Sequence, residues 1–435
     1  MDPVRHGRGP GEGGALMGTL ATFRSFGWPS RLLMINQFGI NLGFYMLMPY
    51  LAGYLAGPLG LAAWAVGLVL GVRNFSQQGM FIVGGTLADR LGYKPLIVAG
   101  CLLRTAGFGL LVFAQSLPAV LIASAATGFA GALFNPAVRA YLAADAGERR
   151  VEAFALFHVF YQAGILAGPL VGLALMTVDF RVTAAGAAAV FALLTIAQLF
   201  ALPRRDSDPA AATTSVLQDW RTVAGNRSFL LFAAAMIGSY VLTFQIYLAM
   251  PLHAAFLAPQ HASALIAAMF VVSGAVAVTA QLRITRWFSD RWGSSRSLII
   301  GMTVIALSFA PLILVPDNRF GTAAAIGALL VTTAVLAIGS AAVFPFEMDT
   351  VVALSGGRLV GTHYGFYSTI VGVGILAGNV ATGALVQAAR QQGLDALVWA
   401  ALAAIGLLSA AALRSLARNG HLQHGGPRPV VDAVG

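Results

Sequence analysis

Cysteine is almost missing from this chain of 435 residues, and the single one, Cys101, cannot close an internal disulfide. A disulfide scaffold and a cysteine-rich zinc module are both excluded. Lysine is as scarce, Lys94 being the only one, and charged residues of all kinds make up 10% of the chain against roughly 25% in ordinary soluble domains. Catalytic signatures are missing too: there is no G-x-x-x-x-G-K-[ST] phosphate loop, no G-x-S-x-G elbow and no H-E-x-x-H pair, and the histidines show no metal-ligand spacing. ATP-driven transport, hydrolytic chemistry, a metal site and a bound cofactor are therefore not expected. What the chain has in excess is apolar: 58% of residues are hydrophobic, against roughly 45–50% in soluble domains.

That excess is organised. Stretches long enough to cross a hydrocarbon core of about 30 Å as helices recur twelve times. They cover residues 31–56, 63–88, 95–115, 117–144, 150–176, 182–202, 229–256, 262–288, 297–316, 321–352, 360–388 and 394–416, taken in order as helices one to twelve. With both termini inside, nineteen of the 26 basic residues fall in cytoplasmic segments and only Arg181, Arg319 and Arg390 fall outside; Arg73, Arg104, Arg139 and Arg283 lie within helices. This is the positive-inside pattern of a multi-pass protein of the cell membrane, and it accounts for the net charge of +10 without a nucleic acid partner.

The expected organisation is an all-α integral membrane protein of two six-helix, pseudo-symmetric bundles. Residues 1–30 form a cytoplasmic N-terminal segment, with Leu16 to Trp28 along the membrane surface; 31–202 form the first bundle, 203–228 a central cytoplasmic linker, 229–416 the second bundle and 417–435 a cytoplasmic tail. The halves echo each other. Gly164-Ile165-Leu166-Ala167-Gly168 in helix five recurs as Gly374-Ile375-Leu376-Ala377-Gly378 in helix eleven, 210 residues on, and Asp89-Arg90-Leu91-Gly92 recurs as Asp290-Arg291-Trp292-Gly293, 201 residues on. Two such repeats about an axis along the membrane normal point to an alternating-access carrier with its substrate held between the halves.

The string Gly85-Thr86-Leu87-Ala88-Asp89-Arg90-Leu91-Gly92-Tyr93-Lys94 resembles the loop signature of the major facilitator superfamily almost position for position. Gly85 permits close helix approach and Gly92 a tight turn, while Asp89 can accept amide donors at a helix N-terminus and pair with an arginine. Gly85, Asp89, Arg90, Gly92 and Lys94 are expected to latch the cytoplasmic side, with Asp145 joining their charge network. In the second half Asp290, Arg291 and Gly293 survive, but Arg286 stands where the pattern has glycine.

Gly164, Gly168, Pro169 and Gly172 match the G-x-x-x-G-P-x-x-G motif of the drug:proton antiporter branch of that superfamily, with Leu173 replacing the last glycine of the fuller pattern. They imply tight packing at an outer gate. Gly71 to Gly79, Leu103 to Phe108, Phe134 to Arg139 and Val178 to Arg181 extend the likeness to MdtH-type multidrug exporters. Ser124 departs from it, standing where many drug antiporters carry arginine.

Charges inside a bilayer cost about 2.5–3.5 kcal/mol each and commonly face a cavity or a partner. Arg73 and Arg104 are accordingly expected to face substrate, with Gln77, Asn41, Tyr45, His158, Tyr161, Gln162, Tyr240 and Gln245 in the same cavity. Helix ten carries the clear intramembrane acids, Glu347 and Asp349. At the 210 offset Asp349 corresponds to Arg139, so a pair of Arg139 with Asp349 or Glu347, broken when the acid is protonated, is the expected proton switch, with Asp349 as the leading proton site.

The resemblance implies a proton antiporter exporting hydrophobic or amphiphilic drug-like molecules, with protons, a small-molecule substrate and the lipid bilayer as its partners and one chain sufficient. A proton symporter or uniporter for a metabolite, and an exporter of an endogenous siderophore or antibiotic, stay open. An enzyme or a sensor would need a catalytic cluster or an extramembrane domain, and the sequence has neither.

Overall fold

A backbone surrounded by hydrocarbon must satisfy its own amides, and each of the twelve apolar stretches is helical in the computed structural model. The structure describes residues 12–61, 63–204, 215–315 and 320–422. Arg5, Arg8, Arg205, Arg319, Arg428, linker residues 205–214 and tail residues 423–435 lie outside the described residues. Helix one is Trp28–Ala56, three Tyr93–Phe113, four Leu117–Ala146, five Arg150–Met176 and six Phe180–Ala201. Ten is Thr322–Ser355, eleven Val360–Gln391 and twelve Asp395–Arg418. No strand occurs among the described residues.

Two of the helices expected to be continuous are broken. Helix two is divided into Ala63–Gln78 and Phe81–Leu91 around Gly79 and Met80, and helix seven into Arg227–Thr243 and Ala249–Leu257 by the 3-10 turn Phe244–Tyr247. Helices eight and nine run together as Ala262–Leu307 with a sharp turn at Gly293, and Ala310–Leu314 ends the ninth. Gly293 has φ 69° and Gly92, between helices two and three, has φ 87°, a region closed to most residues with a Cβ. The 201-residue repeat therefore places the same left-handed glycine at the same corner of each half.

Helix contacts obey the same repeat. Helix one packs on five and six, and three on four and six; correspondingly seven packs on eleven and twelve, and the eight–nine unit on ten and twelve. The halves meet along two equivalent seams, helices two and four against eleven, and helices eight and ten against five.

Among the described residues, two helices stand outside the bundles. Glu12–Arg24 does not merely lie on a membrane surface: it packs beneath the second seam, where Phe23 meets Phe160 of helix five and Thr22 accepts from Arg286 of helix eight. Val216–Gly225 belongs to the linker, its first turn capped by the Ser215 hydroxyl, which accepts from Gln218 N.

Candidate functional site

The best-defined chemistry lies at the end of the molecule that carries the arginine-rich loops. The first amides of a helix have no intrahelical acceptor and sit at the positive end of its dipole. At helix eleven they are met by Asp89 of helix two: Oδ1 accepts from Gly361 N at 2.8 Å, and Oδ2 from Thr362 N at 2.6 Å and the Thr362 hydroxyl at 2.7 Å. Asp89 is fully buried, so its carboxylate ties one half to the other out of water. Gly85 allows the approach, because any Cβ there would run into Gly361 and Gly365.

The linker helix reinforces this seam. Arg90 reaches Asp219 through Nη2 at 2.6 Å and Nε at 3.1 Å, and Trp220 Nε1 donates to the Thr86 hydroxyl at 2.8 Å. Asn226, where the linker helix meets helix seven, donates to the Leu354 carbonyl at 2.8 Å. The linker is thus a strut between the halves. Lys94 lies half-buried in the first turn of helix three and makes no ion pair among the described residues. Asp145 accepts from Ser30 N at 3.2 Å and the Ser30 hydroxyl at 2.6 Å, which anchors it to the start of helix one.

The second seam is closed by different residues. Arg286, the departure from the glycine pattern, donates to Glu152 of helix five at 2.9 Å and to Thr22 at 2.8 Å. Arg150 Nε donates to Asp349 Oδ1 at 2.8 Å. This corrects the expected pairing with Asp349, which Arg150 takes: Arg139 donates to the Ser368 hydroxyl of helix eleven at 3.3 Å and shares a cavity with Glu347 without a direct ion pair between them. The reason is the two-fold relation itself. Equivalent positions on helices four and ten face opposite seams, so Arg139 points at eleven and Asp349 at five.

Further in, both halves surround a cavity of about 210 Å³. Glu347, two residues before Asp349, is rotated about 200° from it around the helix and faces this cavity. It is 3% exposed, and its Oε1 accepts from Tyr240 OH at 2.7 Å and Tyr367 OH at 2.6 Å. Glu347 is the one acid in the lining among the described residues, and Arg139 the one arginine. The His158 ring stacks on Phe344 at 4.6 Å, and its Nδ1 lies 2.7 Å from Gln281 Oε1 of helix eight. Gln281 Nε2 donates to the Ala341 carbonyl and Thr285, which leaves Oε1 to accept and puts the proton on His158 Nδ1.

Of the expected cavity residues, His158, Tyr161, Gln162 and Tyr240 line this space. The others do not. Asn41 packs on helix five against Gly164; Tyr45 has its Cβ against Gly168 and its hydroxyl beside Tyr161 and Tyr247, just behind the cavity wall; Gln245 donates to the Val241 carbonyl. Arg73 holds Asn74 and Gln77 on its own helix and lies over the Phe44 ring. Arg104 is buried inside the first half between Phe134 and Phe191. Hydropathy finds the spans but not their rotation about the axis, so a polar residue facing its own bundle looks the same as one facing the cavity.

Gly164, Gly168 and Gly172 form one face that packs on helix one, a Cβ at Gly164 falling 2.6 Å from the Phe38 carbonyl and one at Gly168 falling 2.6 Å from Tyr45 Cβ. Pro169 O accepts from Tyr50 OH at 2.8 Å. The motif therefore joins two helices of one half. Gly374 and Gly378 repeat this on helix seven, against Ile237 and Val241. Arg150, Glu152, Asp219 and Tyr367 were not singled out by motif reading, and Arg286 was noted only as a departure from the glycine pattern.

Two six-helix halves related by an internal repeat, closed at one end and enclosing a cavity, define a secondary-transporter architecture. The chain belongs to the major facilitator superfamily, whose family model matches residues 33–326. It is 67% identical over 401 residues to an uncharacterized MFS-type transporter, Rv0849, of Mycobacterium tuberculosis strain H37Rv, covering 92% of this chain and 96% of that protein. It is 28% identical over 382 residues to the multidrug resistance protein MdtH of Salmonella newport, covering 88% and 92%. The human organic anion transporter MFSD10 shares the fold with a TM-score of 0.66 at 15% identity, over 88% of this chain and 98% of that one. A peptide transporter of the POT type does so with 0.64 at 16%, over 93% and 99%. The protein is a multi-pass membrane transporter.

Proposed function

We propose that this transporter exports amphiphilic, drug-like small molecules in exchange for protons, from a cell membrane in which both termini and the arginine-rich loops face the cytoplasm. The observation that carries the reading is the cavity itself: it lies between the halves, is walled by aromatic rings, and among the described residues presents one carboxyl group, Glu347, held by two tyrosine hydroxyls. A carboxyl in such a place holds either a proton or a cationic or hydrogen-bonding group of the substrate. Competition between the two for one site produces exchange, because each ligand then binds a conformation the other has left. Glu347 takes over from Asp349 as the proton carrier, and Asp349 with Arg150 belongs to the gate. Asp89, Arg90 and Asp219 on one seam, and Arg286 and Glu152 on the other, hold the cytoplasmic side shut while the cavity exchanges with the outside.

Export of drug-like compounds is favoured by the 28% identity to MdtH along most of both chains. The aromatic lining suits bulky lipophilic ligands. One chain supplies both halves of the pathway, so the monomer is the transporting unit. The test is proton movement in proteoliposomes carrying a pH dye inside, challenged with dissimilar amphiphilic drugs under an imposed proton gradient. Drug-dependent flux from the wild type that is lost in Glu347→Gln supports the reading; drug transport that proceeds without proton movement rejects it.

A further inference from the structure

A second cavity, sharing no lining residue with the first, lies on the outer face of the second half between helices seven and twelve. It is an open groove of about 670 Å³. Its body is apolar and shallow-walled, formed by Leu231, Ala234 and Gly238 on one side and Leu408, Ser409 and Ala412 on the other. Its mouth is different: Arg227, Asn419 and His421 stand there, and no acidic side chain lines the groove among the described residues. His421 is held in place by the Ser228 hydroxyl, 2.8 Å from its Nδ1.

The dimensions are those of one leaflet. Arg227 to Gly238 is eleven helical steps, about 16 Å at 1.5 Å per residue, and half of a hydrocarbon core of about 30 Å is about 15 Å. The basic mouth therefore falls at the level of the lipid headgroups, with the apolar body beside the acyl chains. Basic pockets between helices at that depth attract acidic headgroups.

We propose that this groove is a binding site for one anionic phospholipid, its acyl chain along Ala234 and Ala412 and its phosphate at Arg227 and His421. The site is separate from the substrate pathway and does not depend on which compound is exported. By bridging helices seven and twelve, the lipid braces the second half as a unit while the seams open and close.

The test is native mass spectrometry of the purified full chain titrated with phosphatidylglycerol and, separately, phosphatidylcholine. The wild type is expected to retain phosphatidylglycerol in preference. Arg227→Gln is expected to lower that affinity about fivefold, the factor for one basic residue at a lipid surface, and to leave phosphatidylcholine unchanged. Ala412→Trp, which fills the body without touching a charge, is expected to reduce retention of both. Thermal unfolding in detergent without added lipid checks that each variant is folded. Equal retention of the two lipids by the wild type overturns the proposal, as does unchanged phosphatidylglycerol binding in a folded Arg227→Gln protein. A change from dimer to monomer in Ala412→Trp also overturns it, since the groove would then seat a second copy.

Discussion

Replacing Asp89 by asparagine removes one charge and one acceptor from the most completely formed contact between the halves. Three donors converge on the carboxylate, two of them first-turn amides of helix eleven. Hydrogen bonds to a charged group contribute roughly 1.5–3 kcal/mol each, and a carboxylate at a helix N-terminus gains about 0.3–2 kcal/mol from the dipole. Asparagine keeps one oxygen but turns an NH2 group toward an amide donor, so at least one charge-assisted bond and the dipole contribution disappear. The inside-closed state should lose about 2–4 kcal/mol, a shift of about 30-fold to several-hundred-fold toward inside-open forms at 1.4 kcal/mol per decade. Spin labels at Leu91→Cys and Arg358→Cys, both exposed beside this seam, report its opening by pulsed electron resonance. Native Cys101 is buried, so it leaves the labelling clean. A distance distribution that moves to longer values in Asp89→Asn agrees with the account. An unchanged distribution in folded protein refutes the assignment of Asp89 as the latch.

At the second seam, Arg286→Glu and Glu152→Arg should each favour opening, and the double exchange should restore much of the closed state. Because the arginine is 54% exposed, the coupling should be only about 0.2–1 kcal/mol and should fade with salt. Asp219→Asn should release the linker from Arg90, visible as faster proteolysis within residues 203–228, while leaving the bundles folded. Gly172→Leu should lower the yield and thermal stability of folded protein sharply, because its side chain would need the space of the Met46 backbone. Glu347→Gln should end proton movement but preserve binding of uncharged substrates; loss of all binding would make Glu347 a structural acceptor for Tyr240 and Tyr367.

The spans were legible because a membrane helix is written as a long apolar run, and the repeat because loops with functional turns keep their glycines, as Gly92 and Gly293 do. The site was legible only in part. Asp89 could be read as a receiver of amide donors because its role is local to a corner, although its partner helix, the eleventh, lies 272 residues on. The Arg139 and Asp349 pairing failed because equivalence under a two-fold axis was taken as proximity, whereas equivalent residues on opposite halves face opposite seams. Glu347 and Asp349 illustrate the same limit: two acids two residues apart on one helix differ by their rotation, and one faces the cavity while the other pairs with Arg150 at a seam. The break at Gly79 follows the polar stretch Arg73 to Gln78, which a continuous-helix reading took for one polar sector, and the turn Phe244–Tyr247 carries only Gln245 as a mark of its place.

The central claim is that proton and substrate compete for one carboxyl group. The most direct measurement is proton release from purified protein in unbuffered detergent solution when a transported compound is added, compared with Glu347→Gln. The account predicts release from the wild type across a range of pH in step with saturation of binding, and none from the variant. Saturable binding with no proton release at any pH would contradict it.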